Sequence, residues 1–315
     1  MRQTAQLLVL ALGSSIAAAV ASTKRGLVFV PNDQWPQDSQ IWTKPGTDLT
    51  WYYNYKMTPS PSFADTTQDK FEFVPMMWGK TPDTQFLDSV NSQIDGGRNI
   101  SHVLGFNEPD GAVSGGSNLD PESAALIWVK NMEPLAKRGV KLGMPAVTGS
   151  DRGVKWTKNF ATECAKAISA DGGNKNCTFD FLPIHFYGSF EGLASHMGSM
   201  SAAFPNVTQW ITEYNWDNQD LSTTQSFFNT TCDYFDRLTS VSRYSYFGSF
   251  RSKVSNVGPN AVMLNNNGDL TDIGSWYLGG SATGVNPQSA AGKSGASVLA
   301  AVAAAGIAGA VLASF

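Results

Sequence analysis

From residue 26 to residue 247, short apolar runs alternate with stretches of helical periodicity. The predicted strands cover residues 26–30, 51–54, 71–77, 102–106, 140–146, 179–186, 207–212 and 241–247. Eight strands separated by helices predict parallel βα units, and their spacing matches an α/β chain folded as a single-domain (β/α)8 TIM barrel. A doubly wound open sheet is the alternative, but no glycine-rich phosphate-binding loop follows the first strand.

The amino-terminal end has the pattern of a targeting segment. Residues 1–21 combine the basic Arg2, an apolar run and a small-residue Ala-Val-Ala cleavage site, as secretory signal peptides do. Residues 22–25 end in the dibasic pair Lys24-Arg25, so we interpret them as a short propeptide-like segment. An amino-terminal membrane anchor is the alternative, although the apolar run is short for a span.

The carboxyl-terminal end has the pattern of a lipid-attachment signal. Residues 281–297 form a small and polar linker, and residues 298–315 form an uncharged apolar tail. This order predicts a GPI anchor on Ser289 after removal of the tail. A retained transmembrane helix is the alternative, but no Lys or Arg follows the tail. We therefore expect a secreted protein at the cell surface or in the cell wall, with its folded domain over residues 26–280.

Charge and composition narrow the class of ligand. Removing both ends discards four of the 22 basic residues and none of the 26 acidic ones, which leaves a net charge of −8 over residues 26–289. Only 15% of the residues are charged, whereas the chain has nine Trp and nine Tyr. This composition excludes a basic nucleic-acid binder, a disordered chain and a disulfide-stapled mini-scaffold. No Cys/His spacing resembles a metal site, so we expect neither a metal nor a cofactor. We also expect the protein to be a monomer.

Cysteines and glycosylation sequons agree with a secretory route. Cys164 and Cys177 are close enough to close a short loop, which leaves Cys232 either buried and free or paired elsewhere. Four N-x-[ST] sequons begin at Asn99, Asn176, Asn206 and Asn229.

Two predicted strands each deliver one glutamate to their carboxyl-terminal ends, where barrel enzymes place their active sites. The fourth strand runs into Asn107-Glu108-Pro109, and the seventh runs into Glu213. Two carboxylates that face one cavity are the minimum equipment for hydrolysis of a glycosidic bond. Alternatively, each glutamate caps a helix or pairs with a surface arginine.

Longer strings around these glutamates carry a family resemblance. LGFNEPD at 104–110, DF at 180–181 followed by HFYG at 185–188, and ITEYN at 211–215 together resemble glycoside hydrolase family 128. Fungal members of that family are described as alkali-sensitive-linkage-like cell-wall proteins. The resemblance covers residues 26–278 and implies a (β/α)8 fold and a retaining endo-β-1,3-glucanase that acts on cell-wall β-glucan.

The resemblance also implies roles for individual residues. Glu108 falls on the family's general acid/base, Glu213 on its nucleophile, and Asn107 on an Asn that hydrogen-bonds the sugar 2-hydroxyl. His185 and Tyr187 fall in a motif at the cleft. The family often has Trp between that His and Tyr, where this chain has Phe186, which lacks the indole N–H.

A neutral β-glucan offers hydroxyl groups and apolar sugar faces, so aromatic residues at strand ends are candidates for binding it. The candidates are Trp51, Trp78, Tyr187, Tyr214, Trp216 and Tyr246. Two other functions stay open: a glucan-binding wall protein with little turnover, and a barrel glycosidase with another β-linkage specificity.

Overall fold

The computed structural model describes residues 22–111 and 115–289. Eight strands lie in these ranges, each within or overlapping a predicted one: β1 (Gly26–Val28), β2 (Trp51–Tyr53), β3 (Glu72–Phe73), β4 (His102–Leu104), β5 (Lys141–Gly143), β6 (Phe181–Tyr187), β7 (Thr208–Asn215) and β8 (Val241–Tyr246). The helices are α1 (Gln85–Asp95), α2 (Pro121–Asn131), α3 (Glu133–Ala136), α4 (Asp151–Ile168), α5 (Phe190–Ala203), α6 (Leu221–Arg237) and α7 (Asp272–Tyr277). The chain is therefore a single-domain α/β protein, as the alternating pattern predicts.

All strand pairs are parallel, and neighbours in space are neighbours in sequence. One sheet has the order β1-β2-β3 and the other has the order β4-β5-β6-β7-β8. A parallel bridge between Met76 and Leu104 links the end of the first sheet to the second, and another links Arg25 to Tyr244 of β8. This order lacks the reversal of a doubly wound sheet.

Polar caps fix where the helices after the strands begin. The side chains of four N-cap residues each accept a hydrogen bond from a backbone N–H in the first turn of α2, α4, α5 and α6, and these residues are Asp120, Ser150, Ser189 and Asp220. Such a cap contributes about 1 kcal/mol to helix stability. The caps thus fix the point at which each of these βα loops ends and its helix begins.

The segment that we interpreted as propeptide-like lies inside the fold. Arg25 is buried, pairs with Asp48 at 3.0 Å and donates to the backbone carbonyl of Trp276. The Lys24 ammonium donates to three backbone carbonyls at the end of α6, where a cation also complements the helix dipole. These contacts argue against removal of residues 22–25, because cleavage after Arg25 would strip a buried charge network of its cation.

The other terminal expectations fall mostly outside the described residues. The predicted signal peptide and apolar tail, residues 1–21 and 298–315, are not described, and no structure is assigned to them. Within the described residues, no helix has the length and apolar character needed to cross a membrane. The first part of the predicted linker lies against the domain, since Asn265 donates to the Ser289 hydroxyl and Asn266 donates to the carbonyl of Gln288.

Cys164 and Cys177, which are 13 residues apart, form the disulfide that their spacing allows. It ties the end of α4 to the segment before β6. Cys232 is buried and free, so the first of the two alternatives for it is correct.

We expect replacement of both Cys164 and Cys177 by Ala to lower the free energy of unfolding by about 3 kcal/mol, because a closed loop of this length restricts the unfolded chain by about that amount. Chemical denaturation measures the change. As an internal control, a reductant should lower the stability of the wild type and leave the double variant unchanged. A loss below about 1 kcal/mol, well under the loop-closure value, would show that the crosslink is not a main support of the fold.

Candidate active site

Backbone irregularities bring both glutamates together at the carboxyl ends of the strands. Glu108 follows β4 and has a φ of 41°, an uncommon value for a residue with a side chain. Its backbone N–H is held by the carbonyl of Ala146 at 2.7 Å. Glu213 lies within β7, which extends past its predicted end to Asn215. It pairs in register with His185 of β6, next to a shift of register that re-aims side chains.

His185 lies between the two glutamates. Its Nδ1 is 3.2 Å from Oε1 of Glu108, and its Nε2 is 3.5 Å from Oε1 of Glu213. One carboxylate oxygen of each glutamate lies within 4.8 Å of the other. The His185 side chain is 1% exposed, Glu213 is 7% exposed and Glu108 is 22% exposed. The site thus has a buried carboxylate and a more accessible one, joined by a buried imidazole.

Three tyrosine hydroxyls donate to Glu213. Tyr55 donates to Oε1 at 2.7 Å, Tyr187 donates to Oε2 at 2.7 Å, and Tyr53 donates to Oε1 at 3.3 Å. Loss of water around the hydroxyl groups, and then the charge of Glu213, raises the pKa of all three phenols well above 10, so they stay protonated donors. Sequence reasoning missed Tyr53 and Tyr55. The available signal was their position at the end of the second predicted strand.

Burial and charge act in opposite directions on the two central groups. Burial raises the pKa of Glu213 above 4.5, and Glu108 raises it further, whereas His185 and the hydroxyls of Tyr187 and Tyr55 lower it. Burial lowers the pKa of His185, but the two glutamates outweigh this and raise it above 6.5. Glu213 needs to be ionised to act as a nucleophile, and the cationic imidazole and the tyrosine donors are the groups that favour that form.

These directions predict a pH profile. Because the pKa of Glu213 is raised, the acid limb of kcat/KM should lie above pH 4.5, with activity lost as the pH falls through that pKa. His185→Gln removes a cation that lowers this pKa, so the acid limb should move to higher pH. A profile of kcat/KM against pH measures it, with His102→Gln, at the other end of the strands, as the control. A His185→Gln limb at the wild-type pH would contradict the electrostatic role.

Asn107 is buried beside Glu108, as the resemblance implies. Its Nδ2 donates to the carbonyl of Gly115 at 2.8 Å, and its backbone N–H donates to the carbonyl of Trp78. Its Oδ1 has no hydrogen-bond partner within the described ranges. This oxygen can accept a hydrogen bond from a sugar hydroxyl. Trp78, which is half-buried, belongs to the same part of the site.

The remaining aromatic candidates lie apart from the two glutamates. Trp51 is fully buried near the start of β2, where its indole N–H donates to the carbonyl of Lys24 and its ring lies 5.1 Å from that of Trp210. Tyr214 and Tyr246 are fully buried in the layer between the strands and α6. The ring of Trp216 packs 6.0 Å from Phe227 of α6.

Trp51, Tyr214 and Tyr246 are therefore wrong as sugar-binding candidates. Successive side chains of a strand point to opposite sides of the sheet, so Tyr214, which directly follows Glu213, points away from the side that holds Glu213. Tyr187, which is 36% exposed and bonded to Glu213, is the aromatic candidate that the structure brings to the pair. Phe186 points to α5, where its ring lies 5.9 Å from that of His196.

The two glutamates and His185 also have donor atoms that suit a divalent cation. Tyrosine hydroxyls donate to both oxygens of Glu213, and Oε2, which accepts from Tyr187, keeps a second lone pair. The same carboxylates and imidazole are also the groups needed for proton transfer and nucleophilic attack.

Comparison with known proteins places the chain among carbohydrate-active enzymes. A family model described as "Glycosyl hydrolase catalytic core" matches residues 26–277. Alkali-sensitive linkage protein 1 of Schizosaccharomyces pombe is 28% identical over 266 residues, which cover 82% of this chain and 44% of that protein. The chain thus spans less than half the length of this relative.

Solved structures of glycoside hydrolase family 128 have the same fold. A curdlan-specific exo-β-1,3-glucanase from Blastomyces gilchristii is 26% identical with a TM-score of 0.62, covering 82% of this chain and 98% of its own. An endo-β-1,3-glucanase from Sorangium cellulosum is 23% identical with a TM-score of 0.64, covering 82% and 99%. An oligosaccharide-binding protein from Cryptococcus neoformans is 22% identical with a TM-score of 0.60, covering 83% and 94%. The last two support the fold alone.

Proposed function

The chain belongs to the glycosyl hydrolase catalytic core family, within glycoside hydrolase family 128, and from this premise we propose that it hydrolyses β-1,3-glucan with retention of configuration. The observation that carries the proposal is the close pair of Glu108 and Glu213, with oxygens within 4.8 Å. Retaining enzymes hold their carboxyl groups about 5–5.5 Å apart, whereas inverting enzymes need about 6.5–9.5 Å to admit a water.

In this mechanism Glu213 attacks the anomeric carbon while Glu108 gives its proton to the leaving oxygen. The bond from the anomeric carbon to that oxygen breaks, and a glycosyl ester on Glu213 forms. Glu108 then removes a proton from a water that attacks the anomeric carbon, so the bond from that carbon to Glu213 breaks and the carboxylate and the β-anomer are released. The tyrosine donors and His185 suit Glu213 for the nucleophilic role, because they stabilise its carboxylate before attack and after release.

We also propose that the eight strands close into a full (β/α)8 barrel. Parallel bridges at both seams between the sheets, Met76 with Leu104 and Arg25 with Tyr244, support closure. A closed barrel would gather the strand ends that carry Glu108, His185 and Glu213 around one cleft.

Substrate preference and mode of attack can be tested together with purified protein and a panel of linear β-1,3-, β-1,4- and β-1,6-glucans. We expect cleavage of the β-1,3-linked polymer, and an endo mode should release a series of oligosaccharides early in the reaction. Early release of glucose alone would contradict the endo mode and indicate an exo mode of attack. Cleavage of another polymer would contradict the linkage, and binding to insoluble β-1,3-glucan without release of sugar would indicate a binding protein.

We propose that the protein is secreted and held at the cell surface by a GPI anchor. The support is the sequence pattern of residues 1–21 and 281–315, with Ser289 as the attachment residue. A phosphatidylinositol-specific phospholipase should release the protein from membranes. Persistent membrane retention after treatment would contradict the anchor.

A further inference from the structure

A cavity lies at the opposite end of the strands from Glu108 and Glu213. It is a groove of about 990 Å³ between the segment that precedes β3 and the segment between α1 and β4. Glu72, Ser101 and Arg243, all at the amino-terminal ends of strands, line it. The catalytic chemistry described above uses none of these residues.

The groove walls suit a neutral molecule rich in hydroxyl groups. The acidic side chains Asp65, Asp69 and Glu72 line it together with the basic Arg98 and Arg243. Glu72 accepts from Arg243 at 2.6 Å, and Arg98 donates to the neutral amide of Gln68 at 3.1 Å, so three acidic and two basic side chains leave the groove close to neutral. A strongly charged ligand would find little net attraction, whereas amide, hydroxyl and carboxylate groups bind sugar hydroxyls well.

Two buried polar atoms of the lining residues have no hydrogen-bond partner within the described part of the chain. They are Oε1 of Gln93, an acceptor, and Nη1 of Arg243, a donor. A buried polar atom without a partner costs stability. Because both atoms are inaccessible to solvent, a hydroxyl group in the groove can bond to them only if the Gln93 or Arg243 side chain turns towards it.

Asn99 supplies the source of these hydroxyl groups. It is exposed, it lines the groove, and it begins the sequon Asn99-Ile-Ser101, so a glycan on its side chain would start at the groove itself. We propose that Asn99 carries an N-linked glycan whose first sugars lie in this groove and bond to its walls. The proposal rests on the proposed secretory route and is independent of the glucanase activity.

Asn229 provides a matched comparison. It is also an exposed sequon asparagine, but it lies in the middle of α6 and does not line the groove. Its glycan would stand free in solvent. Contacts with the groove should therefore protect the Asn99 glycan from endoglycosidases, whereas the Asn229 glycan should have no such protection.

The test uses the full chain secreted from a eukaryotic host, with glycan occupancy read by peptide mass spectrometry. Under native conditions an endoglycosidase should release the Asn99 glycan at least tenfold more slowly than the Asn229 glycan, and denaturation should abolish the difference. Ala64→Trp puts bulk at an exposed position of the groove wall and should make the Asn99 glycan as sensitive as that on Asn229. Asn99→Gln should lower the Tm more than Asn229→Gln.

The outcomes separate two failures. The groove assignment alone would be overturned if Asn99 carried no glycan while other sequons did. It would also be overturned if the Asn99 and Asn229 glycans were released at equal rates from the native wild type. Absence of glycan at all four sequons would overturn both the assignment and the secretory route. Neither outcome bears on hydrolysis of β-1,3-glucan, which the polymer panel tests separately.

Discussion

Glu213→Gln should lower kcat/KM on β-1,3-glucan by about 10⁴-fold or more, the scale of loss when a covalent nucleophile is removed. The amide keeps the size of the side chain but cannot form the glycosyl ester. Glutamine also offers one acceptor oxygen in place of two, so Tyr55 and Tyr187 lose part of their bonding. Initial rates on the polymer and on an aryl β-glucoside measure the loss, which should be similar on both.

The matched control is Glu122→Gln, which makes the same change on the exposed first turn of α2 and should keep wild-type activity. Circular dichroism and thermal melting establish that Glu213→Gln is folded. Glu213→Ala with added azide gives a second readout, since a small anion can take the place of the missing nucleophile and yield an α-glycosyl azide. Activity of Glu213→Gln within tenfold of the wild type would remove Glu213 from the mechanism.

Glu108→Gln should lower hydrolysis of β-1,3-glucan by about 10²–10⁴-fold, the usual contribution of a general acid/base. The loss should depend on the leaving group, unlike that of the Glu213 variant. An aryl glucoside with an acidic phenol needs no proton to leave, so formation of the glycosyl ester should stay fast. Release of the ester lacks its base and should be slow, which predicts a burst of phenol.

Azide distinguishes the two glutamates. Added to Glu108→Gln, it should attack the ester without a base, raise the steady-state rate and yield a β-glycosyl azide. The Glu122→Gln control should show neither burst nor rescue. If Glu108→Gln lost activity on the polymer and on the aryl glucoside equally, without a burst of phenol, the assignment of Glu108 as acid/base would be wrong.

Much of the architecture could be predicted because apolar runs with helical stretches between them leave few arrangements for buried strands. Each observed strand falls within or overlaps a predicted one. The two glutamates could be found because parallel strands gather their carboxyl ends at one face. The sequence left a Cys164–Cys177 disulfide as a possibility, because the two cysteines are close along the chain.

The side-chain environment could not be predicted, because it depends on contacts between residues far apart in sequence. Tyr55 and Glu213 are 158 residues apart, yet they share a hydrogen bond of 2.7 Å. The register of β7 with β6 and β8 shifts near Glu213, and the sequence does not show such shifts. Tyr214 therefore lies on the opposite side of the strand from the glutamates, where the sequence analysis did not place it. The dibasic pair Lys24-Arg25 was interpreted as the end of a propeptide-like segment, because the sequence does not show that Arg25 pairs with Asp48, 23 residues further along the chain.

The measurement that bears most directly on the pair of Glu108 and Glu213 is the anomeric configuration of the first product. Proton NMR during hydrolysis of a β-1,3-linked oligosaccharide resolves the anomeric signals of newly released reducing ends before they equilibrate. The close carboxylates predict that the β-anomer appears first and the α-anomer grows in later by mutarotation. Appearance of the α-anomer first, or no product at all from folded protein, would contradict the double-displacement account.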